Sequence, residues 1–228
     1  MIVAVTGATG FIGRHLVDSL AARGIIVRAI VRPGSTSAPP GAVTIVTAPL
    51  EEAALADAFV GADAVVHLAG VVSAVDPATF SAVNVAGTRA VAEAARRASA
   101  HLVHISSLAA AGPAPPWAPR WEDDPTAPLT PYGRSKLEGE RVVQSTPGLS
   151  WTILRPGVVY GPGDRAMLPL FRLASRGVLP LVGRSDAGYT FIHVHDMVYT
   201  IERALDVRLH GDVMFVGHPR PVTAREVL

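Results

Sequence analysis

A tyrosine and a lysine one helical turn apart are the residues best suited to move a proton in this chain of 228 residues. Tyr132 and Lys136 belong to the segment YGRSK, residues 132–136, and on a helix this spacing places both side chains on one face. A neighbouring ammonium favours the phenolate, so we predict that Lys136 lowers the pKa of Tyr132. Such a phenol can serve as a general acid or base near neutral pH. The same spacing occurs on ordinary exposed helices, so this interpretation depends on the other motifs.

Two serines follow a predicted strand and can supply a hydroxyl to the same site. Ser106 and Ser107 end the segment HISS, residues 104–107, so Ser107 is expected at the carboxyl edge of the sheet. Its hydroxyl could hydrogen-bond a substrate oxygen while Tyr132 transfers the proton. Serine, tyrosine and lysine together predict general acid–base chemistry on a carbonyl or an alcohol.

A glycine-rich turn near the beginning of the chain has the context of a dinucleotide-binding motif. The segment TGATGFIG, residues 6–13, follows the apolar run 2–5 and precedes an amphipathic stretch at 15–22, which is the order strand, turn, helix. Gly7 allows the tight turn, Gly10 lets the backbone approach a pyrophosphate, and Gly13 lets the helix pack on the strand. Phosphates would bind at the helix N-terminus. The alternative is an ordinary strand-to-helix turn.

Apolar strands alternate with helical patterns along the chain. We predict strands at Ile2–Val5, Ile26–Val31, Val43–Val46, Ala64–His67, Leu102–Ile105 and Thr152–Leu154. We predict helices at Ile12–Ala22, Glu51–Phe59, Phe80–Ala98 and Tyr132–Val143. This alternation predicts an α/β fold with a parallel sheet buried on both faces. A proline-rich loop at 112–131 follows the fifth strand, where an α/β protein commonly builds its site.

Composition and charge exclude several function classes. The net charge is +1, so we expect neither a nucleic-acid nor a membrane surface. Cysteine is absent, which excludes disulfides and thiolate metal sites. His193 and His195 flank Val194 in a strand-like segment and should point to opposite faces, so we predict no metal. Because the first residues already form a strand, we expect no signal peptide and a cytoplasmic location.

Seven segments, in order, carry a resemblance to a known family. They are TGATGFIG (6–13), HLAG (67–70), NVAGT (84–88), HISS (104–107), YGRSK (132–136), LRPGVVYGPGD (154–164) and FIHVHD (191–196). The chain resembles the extended short-chain dehydrogenases/reductases, the NAD(P)-dependent epimerase/dehydratase superfamily. The resemblance implies a Rossmann-type, doubly wound parallel sheet with a small C-terminal substrate cap. It also implies an enzyme with a nicotinamide cofactor.

The resemblance also implies roles for individual residues. Tyr132 would be the general acid/base, Lys136 would lower its pKa and hold the nicotinamide ribose, and Ser107, rather than Ser106, would orient the substrate oxygen. Asn84 would line the cofactor, or it only caps the helix that it opens. The expected cofactor-binding residues are Gly7, Thr9, Gly10, Phe11, Ile12, Gly13, Arg32, Leu50, Leu68, Ala69, Gly70, Asn84, Tyr132, Lys136 and Pro156.

The end of the second strand bears on which cofactor binds. The position where an acidic residue would hold the ribose of NAD is Val31, and Arg32 follows it. A guanidinium suits a phosphate, so we predict NADP(H) over NAD(H), with Arg14 as a second possible contact. Pro49 stands where the family often has an aspartate near the adenine, which puts that contact in doubt.

Two positions bear on the substrate. Nucleotide-sugar members usually carry Asn near Val158 and a diphosphate-binding Arg at the place of Tyr189. Their absence favours an alcohol/ketone oxidoreductase. A nucleotide-sugar epimerase or dehydratase, which retains NAD, is the first alternative. A non-catalytic NADP(H)-binding sensor or structural subunit is the second.

The domain organisation follows from the same comparison. We expect residues 1–160 to form the NAD(P)-binding domain, to which 189–205 returns, and 161–188 and 206–228 to form a partial cap. A capped helix is expected from Thr223, with Glu226 three residues on, so the chain either is truncated or leaves an open pocket. The family commonly dimerises through helices, which predicts a homodimer through those beginning near Val85 and Tyr132.

Overall fold

In a computed structural model that describes residues 1–41, 43–115, 118–177 and 188–223, a parallel sheet forms the centre of the molecule. Its strands are β1 (Ile2–Thr6), β2 (Ile26–Val31), β3 (Thr44–Thr47), β4 (Ala64–His67), β5 (His101–Ile105), β6 (Trp151–Pro156) and β10 (Asp212–Val216). Two small sheets contain β7 (Val158–Tyr160) with β9 (Phe191–His193), and β8 (Gly188–Tyr189) with β11 (Val222–Thr223).

Helices cover both faces of the central sheet. They are α1 (Phe11–Ala22), α2 (Glu52–Ala58), α3 (Ala78–Phe80), a π-helical segment (Ser81–Gly87), α4 (Thr88–Arg97), α5 (Leu108–Ala111), α6 (Pro131–Ser145), α7 (Leu168–Ala174) and α8 (Val194–Val207). On one face, Leu16 and Leu20 of α1 pack with Met197 and Ile201 of α8. On the other face, residues of α2, α4 and α6 form the second apolar cluster. No helix in the described ranges has the length and apolarity needed to cross a membrane.

The strand order confirms the Rossmann-type fold. Within the described residues it is β10-β6-β5-β4-β1-β2-β3, and every neighbouring pair is parallel. The order reverses between β1 and β4, so the carboxyl ends of these strands open a crevice where doubly wound proteins bind ligands. Strands β4 and β5 are buried along their whole length, as continuous apolar runs indicate.

Three local predictions were wrong. Asp212–Val216, which we assigned to the cap, is the edge strand beside β6. The segment around Val194 is not a strand, because α8 begins there: the Nδ1 atom of His193 accepts a hydrogen bond from the backbone nitrogen of His195 at 3.3 Å and caps the helix. Asn84 does not open a helix; it lies inside the π-helical segment.

The C-terminal helix expected from Thr223 lies on residues 224–228, outside the described residues. Before it, Val222 and Thr223 pair antiparallel with Tyr189 and Gly188.

Candidate functional site

The glycine turn after β1 forms an open cradle. Gly7 has a φ of 71°, and a Cβ atom on it would lie 2.7 Å from the backbone nitrogen of Ala69. A Cβ atom on Gly13 would overlap the carbonyl oxygen of Gly7, whereas one on Gly10 would meet only that oxygen, at 3.2 Å. Gly7 and Gly13 therefore allow the backbone to pack tightly, and the exposed Gly10 leaves space for a ligand to approach the turn.

The N-terminus of α1 faces this cradle without a protein partner. Gly10 is its N-cap residue, no side chain of the described residues caps it, and its first turn contains no acidic residue. Phe11 and Ile12 begin the helix and are half-buried. Free backbone N–H groups and the helix dipole favour an anion here. The cradle therefore fits the pyrophosphate of a dinucleotide.

Two arginines, Arg32 and Arg14, lie close to the loop that follows β2. Arg32 is exposed directly after the buried Val31. The Nη1 atom of Arg14 reaches across to the carbonyl oxygen of Ala38, at 3.4 Å. Arg28, by contrast, donates hydrogen bonds from its guanidinium to the carbonyl oxygens of Ala58 and Val60. Arg32 and Arg14 are thus the cations at this end of β2 that can face a ligand.

Asn84 fixes the loop that follows β4. Its Oδ1 atom accepts a hydrogen bond from the backbone nitrogen of Val71, and its Nδ2 atom donates to the Val71 carbonyl oxygen, both at 2.9 Å. Nδ2 also donates to Ser135 Oγ on α6, at 2.9 Å. The side chain of Asn84 is therefore engaged within the protein and holds the neighbouring Gly70, where a Cβ atom would lie 3.2 Å from Oδ1 and 3.9 Å from Lys136 Nζ.

Other predicted cofactor residues also lie at the carboxyl ends of the strands. Leu68 and Ala69 follow β4 and are half-buried, as are Thr9 in the glycine turn and Leu50 after β3. Pro156 ends β6 and is buried. The structure brings these residues to one edge of the sheet, at the crevice.

The predicted catalytic residues meet where α5 and α6 touch. Ser107 caps α5, because its Oγ atom accepts a hydrogen bond from the backbone nitrogen of Ala109 at 3.2 Å. A Cβ atom on Gly133 would overlap the Ala109 carbonyl oxygen, so glycine permits α6 to approach α5 this closely. This approach brings the Ser107 hydroxyl beside the Tyr132 phenol, whose pKa it acts to lower.

Lys136 lies one turn further along α6 and is buried. Its Nζ atom donates a hydrogen bond of 2.7 Å to the carbonyl oxygen of Ile105. Burial lowers the pKa of Lys136 to about 8, against the opposing effect of Glu140. The ammonium is therefore held in place but loses its proton more readily than an exposed lysine.

The pKa of Tyr132 moves in the opposite direction from our prediction. Burial raises it, and the neighbouring Ser107 hydroxyl acts against this rise. Desolvation disfavours the phenolate, and the spacing of Tyr132 and Lys136 in the sequence does not reveal how strong it is. Before any ligand binds, Tyr132 is thus a protonated phenol at neutral pH.

Two buried histidines, His67 and His104, lie near Lys136, and their position in the sequence does not reveal that their pKa values are shifted. The Nδ1 atom of His67 lies 2.7 Å from Thr6 Oγ1, and its Nε2 atom lies 3.0 Å from Thr88 Oγ1. Burial and the charge of Lys136 lower the pKa of His67 to about 3. The ring centroid of His104 lies 5.3 Å from that of His67. Neither ring nitrogen of His104 has a hydrogen-bond partner among the described residues. Burial lowers the pKa of His104.

A buried ion pair joins α6 to β6. Arg155 donates from Nε and Nη2 to Glu140 at 3.0 and 2.7 Å, and Ser106 Oγ also donates to Glu140 Oε1. The side chains of Arg155 and Glu140 are 5% and 1% exposed. Arg155 is therefore not free to bind a substrate diphosphate.

Aromatic rings cluster on the short strands β7, β8 and β9. Tyr189, in β8, is 41% exposed, and its ring centroid lies 6.4 Å from that of Phe191. Tyr160 lies against Phe191 at 6.1 Å and against His193 at 5.3 Å. No group of three or more potential metal ligands occurs among the described residues.

The comparisons with known proteins define the family. The model of the NAD dependent epimerase/dehydratase family matches residues 3–217. The chain therefore belongs to this family, and our identification of it from the seven segments is confirmed. At the level of the family, the prediction of an NAD(P)-dependent enzyme is confirmed.

Individual relatives include enzymes of several kinds. The chain is 40% identical over 199 residues to ceramide reductase of Caulobacter vibrioides, covering 86% of this chain and 58% of that protein. It is 32% identical over 256 residues to sterol demethylase protein B of Methylococcus capsulatus, covering 97% and 76%. The structure of MoeE5 in complex with UDP-glucose and NAD superposes with a TM-score of 0.86 at 32% identity, covering 100% of this chain and 79% of MoeE5.

Proposed function

We propose that the protein is an NADP(H)-dependent oxidoreductase that interconverts a ketone and a secondary alcohol. The observation that carries this proposal is that the close approach of α5 and α6 brings Ser107 beside Tyr132, one helical turn from the buried Lys136. A bound nicotinamide would supply or accept the hydride. The protein residues would then manage the proton and the charge on the substrate oxygen.

The three side chains divide the work. Ser107 would donate a hydrogen bond to the carbonyl oxygen, and Tyr132 would give its phenolic proton to that oxygen as negative charge develops. Lys136 would stabilise the phenolate that remains. Because burial raises the pKa of Tyr132, the resting protein holds the proton on the phenol, which favours the direction of carbonyl reduction.

Cofactor contacts would come from the strand ends. The phosphates would bind at the start of α1, over Gly10, Phe11 and Ile12. Lys136 would contact the nicotinamide ribose, and Asn84 would act by holding the loop at Gly70 rather than by direct contact. Arg32, aided by Arg14, would bind the 2′-phosphate of NADP(H), because a guanidinium pairs well with phosphate and no carboxylate stands at position 31.

An apolar substrate fits the exposed side chains around the proposed site better than a substrate with a diphosphate does. Tyr189 and Val158 are the exposed side chains at the two positions we associated with nucleotide-sugar binding. Exposed apolar residues also follow β4 and β5, among them Val72, Trp121 and Leu129. Two relatives, a ceramide reductase and a sterol demethylase protein, are named for lipids. We therefore propose a bulky apolar ketone or alcohol as the substrate.

A nucleotide-sugar epimerase or dehydratase is the second candidate. MoeE5, which matches the whole chain, is known in complex with UDP-glucose and NAD. In that case the cofactor would stay bound and return the hydride it had taken, so NAD should copurify with the protein.

Organisation and assembly complete the proposal. Residues 1–160 and 189–205 would form the cofactor domain, joined by β10, and 161–188 would contribute to the substrate side. A homodimer would form through α4 and α6, whose exposed faces carry Arg89, Arg134, Glu138 and Arg141 and can pair opposite charges across a two-fold axis. Light scattering should give twice the 23.8 kDa of one chain. A cytoplasmic location stays a prediction.

Calorimetry on the purified chain, after a check for bound nucleotide, tests the cofactor assignment. Tighter binding of NADPH than of NADH to an empty protein supports the proposal. Copurified NAD, with turnover of UDP-glucose, would overturn the oxidoreductase proposal and support the nucleotide-sugar epimerase. Binding of NADPH without oxidation of it by any apolar ketone, in the presence of intact Tyr132, would instead favour a non-catalytic sensor.

A further inference from the structure

One buried carboxylate on α6 connects the helix that carries Tyr132 and Lys136 to the neighbour of Ser107 and to the end of β6. Glu140 is on α6, one helical turn beyond Lys136 and two beyond Tyr132, and its side chain is 1% exposed. Ser106, the neighbour of Ser107, donates a hydrogen bond to its Oε1 atom. Arg155, at the end of β6, donates to both oxygens.

We propose that Glu140 is a positioning residue for proton transfer: its carboxylate fixes Ser106 and Arg155 against α6, and its charge faces Lys136 to keep that side chain an ammonium. This inference rests on the proposed roles of Lys136, Tyr132 and Ser107. It assigns to Glu140 an electrostatic task in addition to its ion pair with Arg155.

The geometry supports the structural half of this role. A carboxylate has about four lone-pair positions, and Glu140 uses three of them for Ser106 and the two nitrogens of Arg155. These partners come from β5 and β6, which are neighbours in the sheet. The ion pair therefore fixes α6 relative to the strand end from which Ser107 emerges.

The electrostatic half follows from the charges around Lys136. Burial lowers its pKa, and Glu140 raises it. His67 and His104 face Lys136 from β4 and β5, but burial lowers the pKa of each, so both are neutral near pH 7. The charged residues Arg134, Glu138 and Arg141 occupy the exposed face of α6. Glu140 is thus the buried negative charge that opposes the desolvation of Lys136.

Arg155 is the positive charge that pairs with Glu140 in this cluster. Its Cζ atom lies 5.7 Å from the ring centroid of Phe215, on the side of the sheet edge formed by β10. Its Nη1 atom has no hydrogen-bond partner in the part of the chain that the structure describes. The guanidinium is held by Glu140 and the Phe215 ring, so the carboxylate has Arg155 on one side and Lys136 along its own helix.

The test measures the titration of Lys136 directly. Lys136 is the one lysine of the sequence, so ¹³C labelling of lysine gives a single side-chain signal, which is followed by NMR against pH in the full chain with NADPH. In Glu140→Gln the pKa of Lys136 should fall by about one unit. The alkaline limb of kcat/KM should move to lower pH by the same amount. Glu140→Asp, which keeps the charge, should restore both.

Two further variants separate this task from a structural one. Glu138→Gln removes an exposed carboxylate from the same helix, one that pairs with Arg141 at 3.1 Å, and should leave the Lys136 titration unchanged. The double variant Glu140→Gln/Arg155→Met does not leave the Arg155 guanidinium buried without its carboxylate, which favours folding, and should still lower the pKa of Lys136.

The outcomes distinguish this inference from the proposed function. If Lys136 titrates at the same pH in the wild type, in Glu140→Gln and in the folded double variant, Glu140 is only structural and the inference is overturned. The NMR titration needs no turnover, so it decides this even if no apolar ketone is reduced. Absence of turnover by the wild type, with the expected NMR shift, would overturn the proposed function alone.

Discussion

The Nζ atom of Lys136 lies 2.7 Å from the carbonyl oxygen of Ile105 and so fastens α6 to the carboxyl end of β5. Ser107 follows Ile105 by two residues, and Tyr132 precedes Lys136 by one helical turn. Together with the hydrogen bond from Ser106 to Glu140, this contact holds the segment that carries the proposed acid against the segment that carries Ser107.

The first prediction concerns activity at alkaline pH. Because burial lowers the pKa of Lys136 to about 8, the ammonium is present below this pH and is lost above it. We expect kcat/KM for carbonyl reduction to fall as pH rises through about 8. Lys136→Arg, whose side chain stays charged, should lower the overall rate but remove this limb. A wild-type profile that stays flat to pH 10 would contradict the role of Lys136.

The second prediction concerns the proposed acid. Tyr132→Phe should lower kcat by about 10²- to 10⁴-fold, since general acid catalysis contributes about that much. The Kd for NADPH should change little, because the rest of the crevice is intact. Tyr199→Phe is the matched control, since Tyr199 is 63% exposed on α8, and it should behave as the wild type. Wild-type turnover by Tyr132→Phe would require another acid.

The third prediction compares two glycines of the same turn. In Gly10→Ala the new methyl group would meet only the Gly7 carbonyl oxygen and would otherwise point into the cradle, so the protein should fold normally and lose NADPH binding. In Gly13→Ala the methyl group would overlap that oxygen, and the free energy of unfolding should fall by about 1–3 kcal/mol. Thermal unfolding and calorimetry measure the two effects. Equal behaviour of the variants would argue against an open cradle.

The fourth prediction concerns cofactor choice. Arg32→Ala should weaken NADPH binding by about 10- to 100-fold, the value of a hydrogen bond to a charged group, and leave NADH binding unchanged. Arg203→Ala removes an exposed arginine from α8 and is the control for net charge. If Arg32→Ala weakens both nucleotides equally, Arg32 does not recognise the 2′-phosphate.

The fifth prediction concerns stability in acid. Burial lowers the pKa of His67 to about 3 and lowers that of His104 as well, whereas both should titrate near 6.5 in the unfolded chain. The unfolded state then binds more protons below pH 6.5, so folding stability falls as pH falls. Each histidine should contribute about 1.4 kcal/mol per pH unit.

Urea unfolding between pH 7 and pH 5 measures this slope. His104→Leu should reduce it by one histidine's share, and the exposed His218→Gln should leave it unchanged. An unaltered slope in His104→Leu would mean that His104 is protonated in the folded protein.

Much of the fold could be predicted because its signals are local. The glycine turn, the apolar strands and the YGRSK segment each lie within a few consecutive residues, and strands such as Ile26–Val31 and Ala64–His67 have the predicted bounds. The strand Asp212–Val216 was assigned to the cap although it contains a run of four apolar residues, because no local signal shows that it pairs with β6.

Parts of the candidate site depend on contacts between distant residues. Glu140 pairs with Ser106 and Arg155, which are 34 and 15 residues away, and nothing in the spacing marks these residues as partners. The direction of the Tyr132 pKa shift depends on burial, which a spacing of four residues does not reveal. Asn84 was assigned to the cofactor or to a helix cap, but its amide instead spans Val71 and Ser135.

The ion pair of Glu140 and Arg155 also bears on the order in which the chain folds during synthesis. Glu140 leaves the ribosome before Arg155, and until β6 has formed the carboxylate has no buried cation to compensate its desolvation. We therefore expect α6 to dock on the sheet late, which pulsed hydrogen exchange during refolding would detect as late protection of its amides. A nascent chain would thus complete the glycine turn between β1 and α1 before the helix that carries Tyr132 and Lys136 docks on the sheet.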